Sequence, residues 1–196
     1  MAGVTPSQTV GPYFSYGLAS GGAYPWSDLI TNDLVTTDVA GERIRIEGRV
    51  TDGDNEPIDD ALVEIWQADA QGRYAHPRDN RSLPNTSFRG FGRCATDLAG
   101  SFSFRTIKPG PVPGPNGQAQ APHVLVCYFS RGLLTHMYTR IYFEDEPANE
   151  SDPILRLVSS DRRHTLIARR EQRGGEAVYR FDIHVQGENE TVFFDL

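Results

Sequence analysis

The chain has 196 residues, of which 38% are hydrophobic and 23% charged, the proportions of an ordinary soluble protein of one domain or two very small ones. Its formal net charge of −7 argues against nucleic acid or an anionic membrane as a partner, because both bind basic surfaces. The 13 prolines and 19 glycines favour short strands joined by turns over a helical bundle.

No segment predicts export or membrane insertion. The longest apolar runs, such as Val124–Phe129, are far too short to span a bilayer. The first residues lack the basic start and apolar core of a secretory signal. Cys94 and Cys127 are too few for a disulfide framework, and the sequence leaves open whether they pair. We therefore expect a cytoplasmic protein.

The first forty residues are irregular but carry aromatic residues and prolines, in Thr5–Phe14 and again at Pro25-Trp26. Such a segment becomes ordered only when it lies against a surface. We predict that residues 1–40 form an N-terminal arm that docks on a partner subunit, and that residues 41–196 form one β-sandwich domain.

From residue 43 onward, apolar and polar residues alternate in short runs separated by turn residues, which is typical of half-buried strands. The predicted strands are residues 43–49, 61–66, the stretch around Phe102 and Phe104, and residues 123–129, 137–143, 179–185 and 191–194. Their spacing predicts an all-β antiparallel sandwich. Residues 153–158 and 166–172 are the candidates for short helices. Residues 108–122, rich in proline and glycine, are predicted to be a long loop without regular structure.

A series of motifs occurs in a fixed order along the chain. They are Arg49–Gly53, Pro57-Ile58, Val63–Ala70, Gly72–Tyr74, Gly90–Arg93, Thr96-Asp97, Gly100, Phe104–Gly110, Pro122-His123 and Tyr142-Phe143. The series resembles the signature of the intradiol ring-cleaving dioxygenases, and the resemblance extends from Thr5 to the end of the chain. It implies an antiparallel β-sandwich with long loops, in agreement with the strand pattern.

The resemblance also implies where an iron ion would be held. Catalytic members of the family bind a non-haem ferric ion through two tyrosines and two histidines, and phenolate oxygens suit this hard cation. The matching positions here are Tyr74, Val112, His123 and Leu125. Valine and leucine carry no donor atom, so we predict that these are vestigial positions and that this chain holds no metal. Tyr74 and His123 are then expected to be hydrogen-bonded structural residues.

One branch of the family shows this loss of ligands: the iron-free α subunits of the dioxygenases that act on protocatechuate. The segments that resemble this branch are Thr5–Tyr13, Tyr179–Ile183, Gln186–Glu188 and Glu190–Asp195. The resemblance implies a substrate-binding role for Thr9, Pro12 and Tyr13 of the arm, and for Arg131 beside the substrate carboxylate. A guanidinium offers two fixed donors to a carboxylate. Arg131 is otherwise a solvated turn arginine, and Tyr13 could equally anchor the arm.

The resemblance implies a large αβ oligomer in which the β subunit carries Fe(III). The expected reaction is the O₂-dependent cleavage of protocatechuate to 3-carboxy-cis,cis-muconate, in the β-ketoadipate pathway. The chain is then not expected to be active without its β subunit. Two alternatives are a stand-alone binding module that has lost its iron site and an autonomous catechol-type dioxygenase. The second requires four iron ligands and a helical N-terminal segment, and the sequence has neither.

Overall fold

The computed structural model describes residue 18, residues 31–81 and residues 87–195. Regular structure in these residues is almost entirely β. The strands are β1 (Arg43–Thr51), β2 (Leu62–Gln67), β3 (Phe91–Ala95), β4 (Ser101–Ile107), β5 (Val112–Pro113), β6 (Ala119–Gln120), β7 (His123–Phe129), β8 (Met137–Phe143), β9 (Ile167–Arg173), β10 (Glu176–Arg180) and β11 (Ile183–His184). Short 3₁₀ helices span Pro115–Gly117, Pro147–Ser151, Leu155–Leu157 and Arg163–Leu166. None of the helices in this part of the chain has the length and apolar character needed to cross a bilayer.

The strands form two layers that share one edge. The first layer has the order β3-β2-β7-β8, and the second has the order β9-β10-β1-β4. Strand β9 belongs to both, because Ile167 and Ala168 pair with β8 while the rest of β9 pairs with β10. The predicted all-β sandwich is confirmed. Its pairing is mixed rather than purely antiparallel, since β1 runs parallel to β10 and β11, and β8 runs parallel to β9.

The main hydrophobic core lies between the two layers. Ile44 and Ile46 of β1 are fully buried there, as their alternation with charged residues predicts, and they share the core with Val124 and Val126 of β7. Fully burying each such aliphatic side chain stabilises the fold by roughly 1.5–3 kcal/mol. A β-carbon on Gly48 would lie 1.8 Å from a backbone oxygen, so β1 requires a glycine at this crossing.

Four segments differ from the sequence prediction. Residues 166–172, predicted as a short helix, are mostly strand β9, because backbone pairing with β10 and β8 outweighs local preference. The loop of residues 108–122 was predicted to lack regular structure, but it contains the small β5–β6 hairpin, in which Val112 pairs with Gln120. The predicted strand 179–185 is interrupted at Phe181 and Asp182, and residues 191–194 contribute one isolated bridge, from Phe194 to Tyr138.

The end of the predicted arm packs on this chain's own sandwich. The amide of Leu34 donates to the carbonyl of Arg105 at 2.8 Å, and the Leu34 side chain, 6% exposed, belongs to the main core. The amide of Arg93 donates to the carbonyl of Thr31 at 3.1 Å. Residues 31–34 therefore lie across β3 and β4, and the larger part of the arm lies outside the described residues.

The two cysteines are free thiols. Cys94 is paired in register with Val63 of β2, and Cys127 with Glu64 of the same strand. Because consecutive residues of a strand point to opposite faces, the two thiols lie on opposite sides of the sheet. This register prevents a disulfide between them, which answers the question that the sequence left open.

A buried carboxylate fastens the outer side of the first layer. Asp152 is 0% exposed, and its Oδ2 accepts a hydrogen bond from the amide of Ala121 at 2.7 Å. Its Oδ1 accepts from the amides of Ile154 and Leu155 and from the hydroxyl of Tyr142, at 2.9, 2.6 and 3.1 Å. One side chain thus joins the approach to β7, the end of β8 and the 3₁₀ helix Leu155–Leu157.

We predict that Asp152→Asn lowers the free energy of unfolding by about 3 kcal/mol. The NH₂ group of asparagine would then face buried N–H and O–H groups that now donate to the carboxylate, and two donors cannot form a hydrogen bond. Urea unfolding of the purified variant measures the loss. The matched control is Asp54→Asn, an exposed carboxylate in a turn, which should change stability by no more than about 0.5 kcal/mol. Equal stability of the two variants would show that Asp152 does not hold these segments together.

Candidate functional site

Three neighbouring strands place a row of side chains on the face of the first layer that points away from the core. Trp66 of β2 is paired with Leu125 of β7, and Leu125 with Arg140 of β8. His123 and Tyr142 form the adjacent row. Directly opposite residues project from the same face of a sheet. The cavity above these rows has a volume of about 570 Å³ and is lined by Trp66, Tyr74, His76, Arg78, Asp79, Asn80, Arg81, Pro113, His123, Leu125 and Arg140.

Tyr74 enters the cavity from a tight turn that follows β2. The amide of Gly72 donates to the carbonyl of Asp69 at 2.9 Å, and the positive φ of Gly72, 72°, closes the turn. A β-carbon on Gly72 would lie 1.9 Å from the carbonyl oxygen of Pro111, so this turn packs directly on the proline-rich loop. The ring of Tyr74 stacks on Trp66 with 6.2 Å between centroids, and burial raises the pKa of its hydroxyl.

His123 is held as a neutral imidazole. It is 5% exposed, and its Nδ1 lies 2.8 Å from the carbonyl oxygen of Ala121. A carbonyl only accepts, so Nδ1 carries the hydrogen and Nε2 keeps a lone pair. Burial lowers the pKa of His123 to about 4, and the positive charge of Arg140 adds to this effect. Among the described residues, Nε2 has no hydrogen-bond donor.

Arg140 supplies a positive charge on the floor of the cavity. Its Nη1 donates to Oε1 of Gln120 at 2.7 Å and, more weakly, to the hydroxyl of Tyr142 at 3.4 Å. Its guanidinium carbon lies 6.0 Å from the centroid of the Phe194 ring. No salt bridge formed within the described part of the chain includes Arg140. Arg140 was not among the predicted site residues, although the alternation over 137–143 places it on the same face as Tyr142.

The outer wall of the cavity adds further positive charge. Arg81 is neutralised by Asp79, with Nε and Nη2 at 3.0 and 2.8 Å from the carboxylate oxygens, and this pairing holds the pKa of Asp79 well below its usual range. Arg78 is exposed on the same loop. Among the described residues of the lining, three guanidinium groups therefore stand against one carboxylate, an excess of two positive charges.

The residues at the four vestigial positions do not fit a ferric ion. Leu125 stands directly between Trp66 and Arg140, and Val112 is 4% exposed, within the β5–β6 hairpin. Neither has a donor atom, and a guanidinium beside the site repels a cation. Within residues 31–81 and 87–195, no three His, Cys, Asp or Glu side chains come together as a metal cluster. No chemical step at an iron ion can be assigned to this cavity.

Arg131 lies at the opposite end of β7 from this cavity. It comes two residues after Phe129, the last residue of the strand, and Phe129 stands roughly 20 Å from His123 at about 3.3 Å per strand residue. Its side chain is 60% exposed and forms an ion pair with Asp60. The other predicted substrate-binding residues, Thr9, Pro12 and Tyr13, lie outside the described residues, so the proposed grouping of all four stays a prediction.

Known proteins are similar to this chain both in sequence and in fold. A family model described as Dioxygenase matches residues 10–187. The protocatechuate 3,4-dioxygenase alpha chain of Burkholderia cepacia is 44% identical over 98% of this chain and 97% of its own length, and the beta chain from the same organism is 37% identical over 84% and 73%. Among solved structures, the dioxygenase domain of a carbohydrate-binding fusion from Streptomyces sp. SirexAA-E superposes with a TM-score of 0.62, at 26% identity over 93% of this chain and 98% of that one.

The environment of His123 predicts how stability depends on pH. Because the folded-state pKa is lowered from 6.5 to about 4, the unfolded chain binds the proton more readily. The contribution of His123 to the free energy of unfolding is fully present above pH 6.5. It is lost as the pH falls to 4, and the loss amounts to about 3 kcal/mol. We expect His123→Asn to remove this part of the pH dependence, as measured by urea unfolding at pH 7, 5.5 and 4.5.

The control for this experiment is His164→Asn, which changes an exposed imidazole in the 3₁₀ helix Arg163–Leu166. It should keep the pH dependence of the wild-type chain. The prediction is wrong if the His123 variant loses as much stability between pH 6.5 and 4 as the wild type does.

Proposed function

We propose that this chain, which belongs to the dioxygenase family, is the iron-free α-type subunit of a protocatechuate 3,4-dioxygenase. A β-type partner then carries Fe(III), and the two chains together form a large αβ oligomer. The alpha and beta chains of the Burkholderia cepacia protocatechuate 3,4-dioxygenase both align with most of this chain, which supports an αβ pair. The two free thiols support a cytoplasmic location, where thiols stay reduced.

One observation carries the assignment to an α-type rather than a β-type subunit. At the positions where the family's catalytic chains hold iron, this chain places Leu125 and buried Val112, and the guanidinium of Arg140 lies alongside. A ferric site needs anionic and imidazole donors. The redox centre of the assembly therefore has to lie on another chain, and this one contributes to the complex in other ways.

The proposed reaction of the assembly joins O₂ to 3,4-dihydroxybenzoate. The bond between the two hydroxyl-bearing carbons breaks, both oxygen atoms enter the product as carboxylate oxygens, and 3-carboxy-cis,cis-muconate forms. This is a ring-opening step of the β-ketoadipate pathway.

The proposed contribution of this chain is a wall of the partner's substrate pocket, formed by Thr9, Pro12, Tyr13 and Arg131. The position of Arg131 supports this role, because the turn after β7 presents its guanidinium to the surface. Its ion pair with Asp60 is exposed to solvent. Replacing Asp60 by a substrate carboxylate as the partner of Arg131 therefore costs little free energy.

Co-purification tests the proposal directly. We expect the chain expressed alone to contain no iron and to show no protocatechuate-dependent O₂ uptake. The complex purified with a β-type partner should contain iron and turn over. Iron is measured by elemental analysis and turnover with an oxygen electrode. Turnover by the lone chain would make it an autonomous enzyme, and failure to form any complex would favour the stand-alone binding module.

For Arg131→Ala we predict a KM for protocatechuate that is at least about tenfold higher, with kcat and complex assembly preserved, since a charge-assisted contact to the substrate is lost in ground and transition states alike. Steady-state O₂ uptake by the complex measures both constants. Arg43→Ala, an exposed arginine at the start of β1, should leave KM unchanged. An unaltered KM in the Arg131 variant would remove this residue from the substrate site.

A further inference from the structure

A second cavity lies where β9 and β10 meet the C-terminal segment, and it shares no lining residue with the cavity described above. Its volume is about 390 Å³. The residues that line it are His164, Thr165, Ile167, Arg169, Arg180, Phe181, Asp182, His184, Asn189 and Thr191. We propose that this cavity binds hydrogen phosphate, the dianion of inorganic phosphate that still carries one hydroxyl group. The inference does not depend on the proposed role as an α-type subunit.

The strand register places two guanidinium groups side by side. Arg169 of β9 and Arg180 of β10 are directly opposite each other in the antiparallel pair, so both project from the same face with their β-carbons about 5 Å apart. The preceding residue of β10, Tyr179, belongs to the main core, which puts the two arginines on the outer face of the layer. Like charges in directly opposite positions destabilise a sheet. An anion bound between the two side chains would remove this repulsion.

The chain itself compensates only part of this positive charge. Asp182 forms an ion pair with Arg180, with 2.9 Å between Oδ1 and Nη2. Arg169 forms no ion pair within the described part of the chain, and the described residues of the lining include no second carboxylate. One guanidinium is therefore in excess here, although the whole chain has a net charge of −7. An incoming anion would accept a charge-assisted hydrogen bond from this group.

Neutral donors complete the lining. The Nδ1 atom of His184 lies 2.9 Å from the hydroxyl oxygen of Thr51, and when that hydroxyl donates, Nε2 carries the hydrogen and can donate to a ligand. The side-chain amide of Asn189 adds two N–H groups. These donors lie on β11 and on the C-terminal segment, whereas the arginines lie on β9 and β10. A ligand is thus approached from more than one direction, which suits tetrahedral oxygens better than a planar carboxylate.

Asp182 selects an anion that can donate a hydrogen bond. Its Oδ1 accepts from the amide of Arg49 at 2.9 Å and from Nε of Arg180 at 3.0 Å. Its Oδ2 accepts no hydrogen bond within residues 31–81 and 87–195, so it can accept one from a ligand. Hydrogen phosphate has an O–H group to donate to this oxygen. Sulfate has none, so its oxygens would be repelled by the carboxylate.

Isothermal titration calorimetry of the full chain with sodium phosphate tests the proposal. The titrations are made at pH 7.5 and at constant ionic strength, so that screening is the same in each. We expect one phosphate per chain. Sulfate and glycerol 3-phosphate should each bind about tenfold more weakly, since sulfate has no hydroxyl group and the phosphate group of the ester has largely lost its last proton at this pH. No binding of phosphate would overturn the proposal, and equal affinity for sulfate or for the ester would overturn the assignment to hydrogen phosphate.

Arg169→Gln tests the excess guanidinium. We expect this variant to bind phosphate at least about tenfold more weakly, because a charge-assisted hydrogen bond is lost. Arg43→Gln is the matched control: it changes an exposed arginine at the start of β1, outside the cavity, and should leave the affinity unchanged. Without phosphate, the Arg169 variant should be at least as stable to urea as the wild type, because the substitution removes the cross-strand repulsion. Unchanged phosphate affinity of this variant would overturn the proposal.

Thermal unfolding gives a second measurement of the same site. A ligand that binds only the folded chain raises the midpoint of unfolding, but phosphate also stabilises proteins without binding, because it is excluded from their surfaces. The informative quantity is therefore the difference between the wild type and Arg169→Gln at the same phosphate concentration. We expect a larger rise for the wild type. An equal rise for the two proteins would contradict binding in this cavity.

Asp182→Asn tests the acceptor that selects the ligand. The amide oxygen of asparagine can still accept from the amide of Arg49, while its NH₂ group replaces the repelling carboxylate oxygen by a donor. We expect sulfate to bind this variant more tightly than it binds the wild type, so that its affinity comes within about twofold of the affinity for phosphate. A preference for phosphate that survives Asp182→Asn, measured by the same calorimetry, would overturn the assignment to hydrogen phosphate.

Discussion

The buried carboxylate of Asp152 is the interaction on which the geometry of the cavity depends. Burying a charge is costly unless hydrogen bonds compensate it, and this carboxylate accepts four of them. Its bond to the amide of Ala121 fixes the backbone carbonyl that orients His123, and its bond to Tyr142 fixes the hydroxyl beside Arg140. One desolvated group thereby determines the tautomer of a histidine and the environment of an arginine.

The chemistry of this cavity differs from that of a metal site. The sequence prediction matches Tyr74, Val112, His123 and Leu125 to iron-ligand positions of the catalytic members that the chain resembles. Here Leu125 and Val112 have no donors, and Arg140 brings its own positive charge. The strand register of β2, β7 and β8 sets Leu125 between Trp66 and Arg140, so a side chain without donor atoms lies next to a guanidinium. Few side chains are needed for this change, because the sheet sets their positions.

Strand β7 separates two regions of the molecule. Its first residue, His123, belongs to the cavity, and Arg131 follows its far end, where the guanidinium is exposed to solvent. The role proposed for Arg131 at a partner's substrate pocket therefore does not involve the residues that line the cavity.

The sequence by itself determined the β class, the positions of β1, β7 and β8, the family resemblance and the missing donors at Val112 and Leu125. These features follow from local alternation and from motifs whose residues are read directly off the chain. Only the tertiary structure decided that residues 167–173 form a strand, that the two thiols face opposite sides of a sheet, and that Arg140 stands opposite Leu125. Each of these depends on which strands pair and in what register, and pairing between segments distant in sequence is set by the packing of the whole core rather than by local pattern.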